Sequence, residues 1–190
     1  KVTAEKLDHP AAITTDDLFV YYVTGGTIAS LNEGTSGVWR KPIAGGEPVQ
    51  LFKGHYIDKD RVILPDFFVL ATDDKYVYWS SGEIWRTPKM GGESQKITDG
   101  TPTEWTIDDE RIYWHNFGGE YAPPKPIYVV DKKGGEANPF TEPVITSGIV
   151  NDKEFIYWAQ SDGIYKQAKN GSEKSKVYTP PEKQSVSGLI

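Results

Sequence analysis

The stretch Asp73-Asp74-Lys75-Tyr76-Val77-Tyr78-Trp79 decides the fold, because it occurs four times. Its counterparts are Asp16-Asp17-Leu18-Phe19-Val20-Tyr21-Tyr22, Asp108-Asp109-Glu110-Arg111-Ile112-Tyr113-Trp114 and Asp152-Lys153-Glu154-Phe155-Ile156-Tyr157-Trp158. In every copy the first Asp precedes the Tyr by five residues. A fixed internal spacing in four copies marks a structural repeat.

A second signature follows each first one. Trp39 leads to Gly45-Gly46-Glu47, Trp85 to Gly91-Gly92-Glu93, Tyr128 to Gly134-Gly135-Glu136, and Tyr165 to Gly171-Ser172-Glu173. The aromatic always stands six residues before the first glycine. Those glycines recur at intervals of 37 to 46 residues, close to the ~40–50 residues of a four-stranded propeller blade.

Each repeat reads as four strands, A to D. Strand A ends at the Asp, strand B carries Tyr-Trp, strand C carries the second aromatic, and the Gly pair turns the chain into strand D. Glycine at that turn supplies the positive φ of a tight, primed hairpin. In strand A, the position three before the Asp holds Ile13, Leu70, Trp105 and Ile149, large apolar side chains expected between blades. Its neighbours, Ala12 and Glu104 among them, alternate to the other side and are expected to line a narrow channel. The fold class is therefore all-β, a β-propeller with blades over residues 9–53, 66–99, 102–142 and 145–179.

The pattern Asp, [Val/Ile]-Tyr-Trp, then [Trp/Tyr]-[Arg/Lys] and Gly-Gly-Glu resembles a group of bacterial secreted propellers and is similar to the YWTD propellers of lipoprotein receptors. After Tyr-Trp, however, this chain has Ser80, His115 and Ala159, never Thr-Asp. The resemblance covers nearly the whole chain and implies the propeller fold and an extracellular or periplasmic setting. Members of such groups bind sugars or proteins, or act as lyases or hydrolases, so fold alone does not choose among them.

Ser185 to Ile190 repeats the opening strand of the fourth blade, and residues 1–8 stand where a preceding strand D would lie. Both are expected to be terminal blade strands. An incomplete blade leaves bare edges, which proteins avoid. Three arrangements answer this: a larger propeller of which this is a part, a four-bladed ring whose ends pair, or an arc closed by a second chain. The chain opens on Lys1, as a processed protein or an excised piece would.

Composition narrows the function. Asp and Glu number 27 against 21 Lys and Arg, a net charge of −6, which argues against a nucleic-acid partner. Cysteine is absent, and no apolar run reaches the ~18 residues of a membrane span.

The A–B and C–D spacings are constant, whereas the B–C and D–A spacings vary. All length variation therefore falls on one face, where binding groups concentrate on a rigid scaffold. Three insertions stand there. Residues 24–37 are rich in Gly and Ser. Residues 53–65 carry His55, Tyr56, Asp58 and Arg61, and residues 115–126 carry His115, Asn116, Glu120 and Tyr121. Glu104 is expected below them at a channel mouth. Asp58-Lys59-Asp60 lacks the glycine and distal glutamate of a calcium loop, and the repeated Asp residues are turn formers, so no metal site and no cofactor are assigned. The expected function is a non-catalytic binding or scaffold module for a protein, peptide or carbohydrate. The alternatives are a propeller enzyme with a His and acid site on the same face, and a piece that assembles with a second chain. No G-x-S-x-G or H-E-x-x-H motif favours catalysis.

Overall fold

The computed structural model describes residues 10–25, 35–54, 70–116, 123–182 and 184–186. It contains four antiparallel four-stranded sheets, each built from consecutive strands in chain order. Blade 1 is β1 (Pro10–Thr15), β2 (Phe19–Thr24), β3 (Gly37–Pro42) and β4 (Val49–Lys53). Blade 2 is β5 (Leu70–Thr72), β6 (Tyr76–Ser80), β7 (Glu83–Pro88) and β8 (Gln95–Asp99). Blade 3 is β9 (Glu104–Ile107), β10 (Arg111–His115), β11 (Tyr128–Asp131) and β12 (Asn138–Pro139). Blade 4 is β13 (Ile149–Asn151), β14 (Phe155–Gln160), β15 (Gly163–Ala168) and β16 (Lys174–Tyr178). This is the all-β, four-bladed β-propeller architecture. Ser185 and Val186 carry no strand; the remainder of the expected terminal strands, 1–8 and 187–190, lies outside the described residues.

The chain divides into two compact units, Lys1–Thr101 and Pro102–Ile190. Each holds two blades. In the first, Leu70, Val77, Trp79 and Trp85 of blade 2 pack with Ala12, Tyr21, Val23 and Val38 of blade 1. In the second, Ile149, Ile156, Trp158 and Tyr165 of blade 4 pack with Tyr113, Ile127, Val129 and Phe140 of blade 3. A strand alternates its side chains between faces, so Tyr-Trp gives each blade a Tyr face and a Trp face. Within each unit the Tyr face of one blade takes the Trp face of the next.

The two repeat signatures meet within each blade. The aromatic pairs Tyr22–Trp39, Trp79–Trp85, Trp114–Tyr128 and Trp158–Tyr165 stand directly opposite across β2/β3, β6/β7, β10/β11 and β14/β15. Their rings stack with centroids 5.5–6.4 Å apart. Such cross-strand aromatic pairs add to burial.

Three expectations are corrected. Ile13 is not an interblade residue here: it is 74% exposed, whereas its counterpart Ile149 is 5% exposed, because within its own unit blade 1 has no preceding blade. Ala12 belongs to the packed core of the first unit rather than to a channel. The C–D turns are not primed hairpins centred on the glycines. The amides of Gly45, Gly91, Gly134 and Gly171 donate to the carbonyls of Pro42, Pro88, Asp131 and Ala168 three residues earlier. The glycine thus closes the turn, in the left-handed region, with φ of +92° at Gly91.

Candidate functional site

Antiparallel order places the A–B and C–D turns of a blade at one end and the B–C loop at the other. The two ends differ in chemistry.

At the turn end, each repeated Asp caps its own turn. Asp16 Oδ1 accepts the amides of Leu18 and Phe19 at 2.9 and 2.8 Å. Asp73, Asp108 and Asp152 repeat these two bonds. The second carboxylate oxygen accepts the Tyr hydroxyl five residues on, at 2.9 Å for Tyr21, 2.7 Å for Tyr78 and 2.7 Å for Tyr157. That bond is the physical content of the five-residue spacing in three blades; in blade 3 the buried Tyr113 hydroxyl has no hydrogen-bond partner.

The next blade then adds a cation. Lys89 Nζ lies 2.5 Å from Asp16 Oδ2, and Lys169 Nζ lies 2.8 Å from Asp108 Oδ2. Each ammonium also sits over the aromatic ring of the same acceptor blade, Tyr21 or Tyr113. Burial alone would raise the Asp16 carboxyl, but Lys89, the two amides and Tyr21 together hold it far below its ordinary value. Burial likewise opposes, and Lys169 with two amides outweighs it, at Asp108. Sequence reading missed this link. Its signal was present: Lys89, Lys132 and Lys169 all stand two residues before the turn glycine, where blade 1 has Ile43. No group of three or more metal-ligating side chains occurs among the described residues.

The loop end is different. Eight buried side-chain polar atoms among the described residues have no hydrogen-bond partner. Five of them belong to Ser36, Ser80, Glu104, His115 and Asn116, at the loop ends of their blades. Buried polar groups are normally satisfied, so the three in blade 3 point to a site there.

Its best-formed part is in blade 3. Glu104 opens β9 and His115 closes β10, directly opposite each other in the ladder, so their side chains share a face. His115 is 3% exposed. Its Nε2 lies 3.2 Å from the Val144 carbonyl oxygen and donates to it, which leaves Nδ1 as an unpartnered acceptor. Burial depresses the imidazole's proton affinity, although the Val144 carbonyl works against this. Burial raises Glu104 above the ordinary carboxylate range. The Thr103 amide and hydroxyl both donate to the His115 carbonyl, at 3.1 and 3.2 Å. This ties the start of β9 to the end of β10.

Trp114 carries a further orphan, toward the turn end of the blade. Trp79 donates its indole N–H to Thr87 at 2.9 Å. The residue of blade 3 that corresponds to Thr87 is Val130, which has no acceptor, and the Trp114 indole nitrogen is unpartnered.

The structure therefore brings Glu104, His115 and Asn116 to one end of blade 3. Glu104 is not at an open rim, since its Oε2 is buried. His55, Tyr56, Asp58, Arg61, Glu120 and Tyr121 lie outside the described residues.

No protein family and no curated protein matches this chain. Among solved structures, the chain is similar to one in the crystal structure of a nidogen/laminin complex, with a TM-score of 0.53 and 12% identity. The likeness covers 96% of this chain and 84% of that one, and it supports the β-propeller fold.

Proposed function

We propose that this chain is a non-catalytic binding module of an extracellular or periplasmic propeller, and that it takes a protein, peptide or carbohydrate ligand on its loop end. The observation that carries the reading is the set of buried, unpartnered polar atoms on Glu104, His115 and Asn116 at the loop end of blade 3. A neutral imidazole acceptor beside a desolvated carboxyl suits a ligand that both donates and accepts hydrogen bonds, such as a hydroxyl or a peptide group. A propeller likeness drawn from a protein–protein complex is consistent with a protein ligand. On this reading, Glu104, His115, Asn116, Glu120 and Tyr121 are ligand-binding residues, as are His55, Tyr56, Asp58 and Arg61.

The opposition of His115 and Glu104 also fits acid–base chemistry. Against it, Nε2 is engaged by a carbonyl and the free atoms of both side chains are buried, so neither is placed to meet a substrate bond without rearrangement.

The test is a screen of glycan and peptide arrays with the intact chain, repeated with His115→Ala/Glu120→Ala/Tyr121→Ala. Loss of the wild-type hits with a retained cooperative thermal transition supports the reading. Undiminished binding by the folded triple variant removes it, and turnover of any hit would favour the enzyme alternative.

A further inference from the structure

Among the described residues, two sheet faces are more exposed than their counterparts in the other repeats. On the Trp face of blade 1, Ile13 is 74% exposed and Val20 half-buried, whereas Val77, Ile112 and Ile156 are fully buried. On the Tyr face of blade 4, Tyr157 is half-buried, whereas Tyr21, Tyr78 and Tyr113 are at 0–1% exposure. The simplest pairing would set one of these faces on the other, through a second copy of this chain. The lysine link argues against that pairing.

In both described Tyr-face to Trp-face interfaces, the incoming blade brings a lysine two residues before its turn glycine. Lys89 meets Asp16 and the Tyr21 ring; Lys169 meets Asp108 and the Tyr113 ring. An arginine of the receiving blade also grips the carbonyl of that same lysine: Arg40 Nη1 to Lys89 O at 2.6 Å, and Arg111 Nη1 to Lys169 O at 3.2 Å. Blade 4 presents the receiving half of this arrangement. Asp152 Oδ2 holds the Tyr157 hydroxyl and pairs with no lysine among the described residues. Lys166 stands where blade 1 has Arg40, opposite Tyr157 in the ladder. Blade 1 cannot supply the other half, because Ile43, 55% exposed, occupies the lysine position.

We propose that the Tyr face of blade 4 is an interaction surface for a further propeller blade, one that carries lysine two residues before its turn glycine, and that Ile43 makes blade 1 of another copy a poor occupant. Asp152 and Tyr157 receive the ammonium, and Lys166 donates to the carbonyl of the same residue. A charge-assisted contact of this kind is partly desolvated and directional. It therefore selects the incoming blade as well as adding to the apolar burial.

The probe is the intact chain carrying Ile43→Lys, which gives blade 1 the missing group at an exposed turn position. Sedimentation velocity should show the wild type monomeric, with Ile43→Lys self-associating head to tail. The expected gain is about tenfold or more in association constant, in line with one hydrogen bond to a charged group. Ile43→Met should behave as the wild type. Association of Ile43→Lys should weaken between low salt and 0.5 M NaCl, and Asp152→Asn in the same chain should abolish it. Because Asp152 also caps its own turn, the salt series carries the conclusion if that double variant is unfolded. Equal self-association of wild type and Ile43→Met would overturn the proposal, since a second copy would then suffice. So would a folded Ile43→Lys chain that remains monomeric, which would show that the face does not read the lysine.

Discussion

The two ends of a blade are made from the same strands and spend their polar groups differently. At the turn end, one carboxylate such as Asp16 accepts two amides, a tyrosine hydroxyl and a lysine. At the loop end of blade 3, Glu104, His115 and Asn116 each leave a buried polar atom unpartnered. Satisfied networks rigidify a fold, and unsatisfied ones cost stability unless something else meets them. The comparison teaches where this molecule holds itself together and where it has polar capacity left to bind.

The largest expected effect lies in the blade core that both ends share. Trp79→Ala should cost about 3–5 kcal/mol in urea unfolding, as truncation of a buried tryptophan does; a loss under about 1 kcal/mol would contradict its 1% exposure. At the turn end, Asp16→Ala should cost about 2–3 kcal/mol, because a charged acceptor with four donors is removed. An Asp16→Ala chain as stable as the wild type would mean that the turn end is not the structural end.

The turn end also predicts a pH dependence. Asp16, Asp108 and Asp152 are all held below the ordinary value of 3.8, Asp152 chiefly by Tyr157 and then by the amides of Phe155 and Glu154. The unfolded chain therefore protonates first on acidification. Their contribution is present above the ordinary carboxylate range and is lost as pH falls through it. Thermal midpoints of the wild type should drop steeply below about pH 4, and Asp16→Ala should flatten that slope.

Gly91→Val comes next, at about 1–2 kcal/mol. A Cβ at Gly91 meets nothing within 4 Å, so the cost is the backbone conformation alone; an unchanged thermal midpoint would exclude a left-handed residue there. Smaller still is the difference between two conservative changes. Trp79→Phe should cost about 1 kcal/mol more than Trp114→Phe, the worth of one hydrogen bond, because only Trp79 has an indole partner. Equal losses would mean that the Trp114 indole is satisfied after all, and the contrast between the ends would sharpen.

The smallest effect has the opposite sign. Glu104 is raised above its ordinary 4.5 by burial, so its ionisation works against folding, and this cost grows as pH rises through the folded-state value. Glu104→Gln should therefore raise the thermal midpoint slightly at pH 7–8, with the advantage vanishing below about pH 4.5. A loss of stability at neutral pH would show that the carboxylate is met by a partner and is no binding group.

The repeat, the four blades and the Asp caps were legible in the sequence, because each depends on residues close together along one chain. A fixed spacing of five residues is enough to place an Asp under a Tyr hydroxyl. The lysine link between blades was not legible, since its partners are separated by most of two repeats. Lys89 and Asp16 lie 73 residues apart, and only packing of a Trp face on a Tyr face makes one carboxylate the acceptor for the other blade's ammonium. The same holds at the loop end. Sequence named Glu104, His115 and Asn116 as chemically apt, but burial and the absence of partners are properties of the packed surroundings. The Val144 carbonyl at His115 Nε2 is what leaves Nδ1 as the unmet atom of that ring, and only the tertiary structure could decide that.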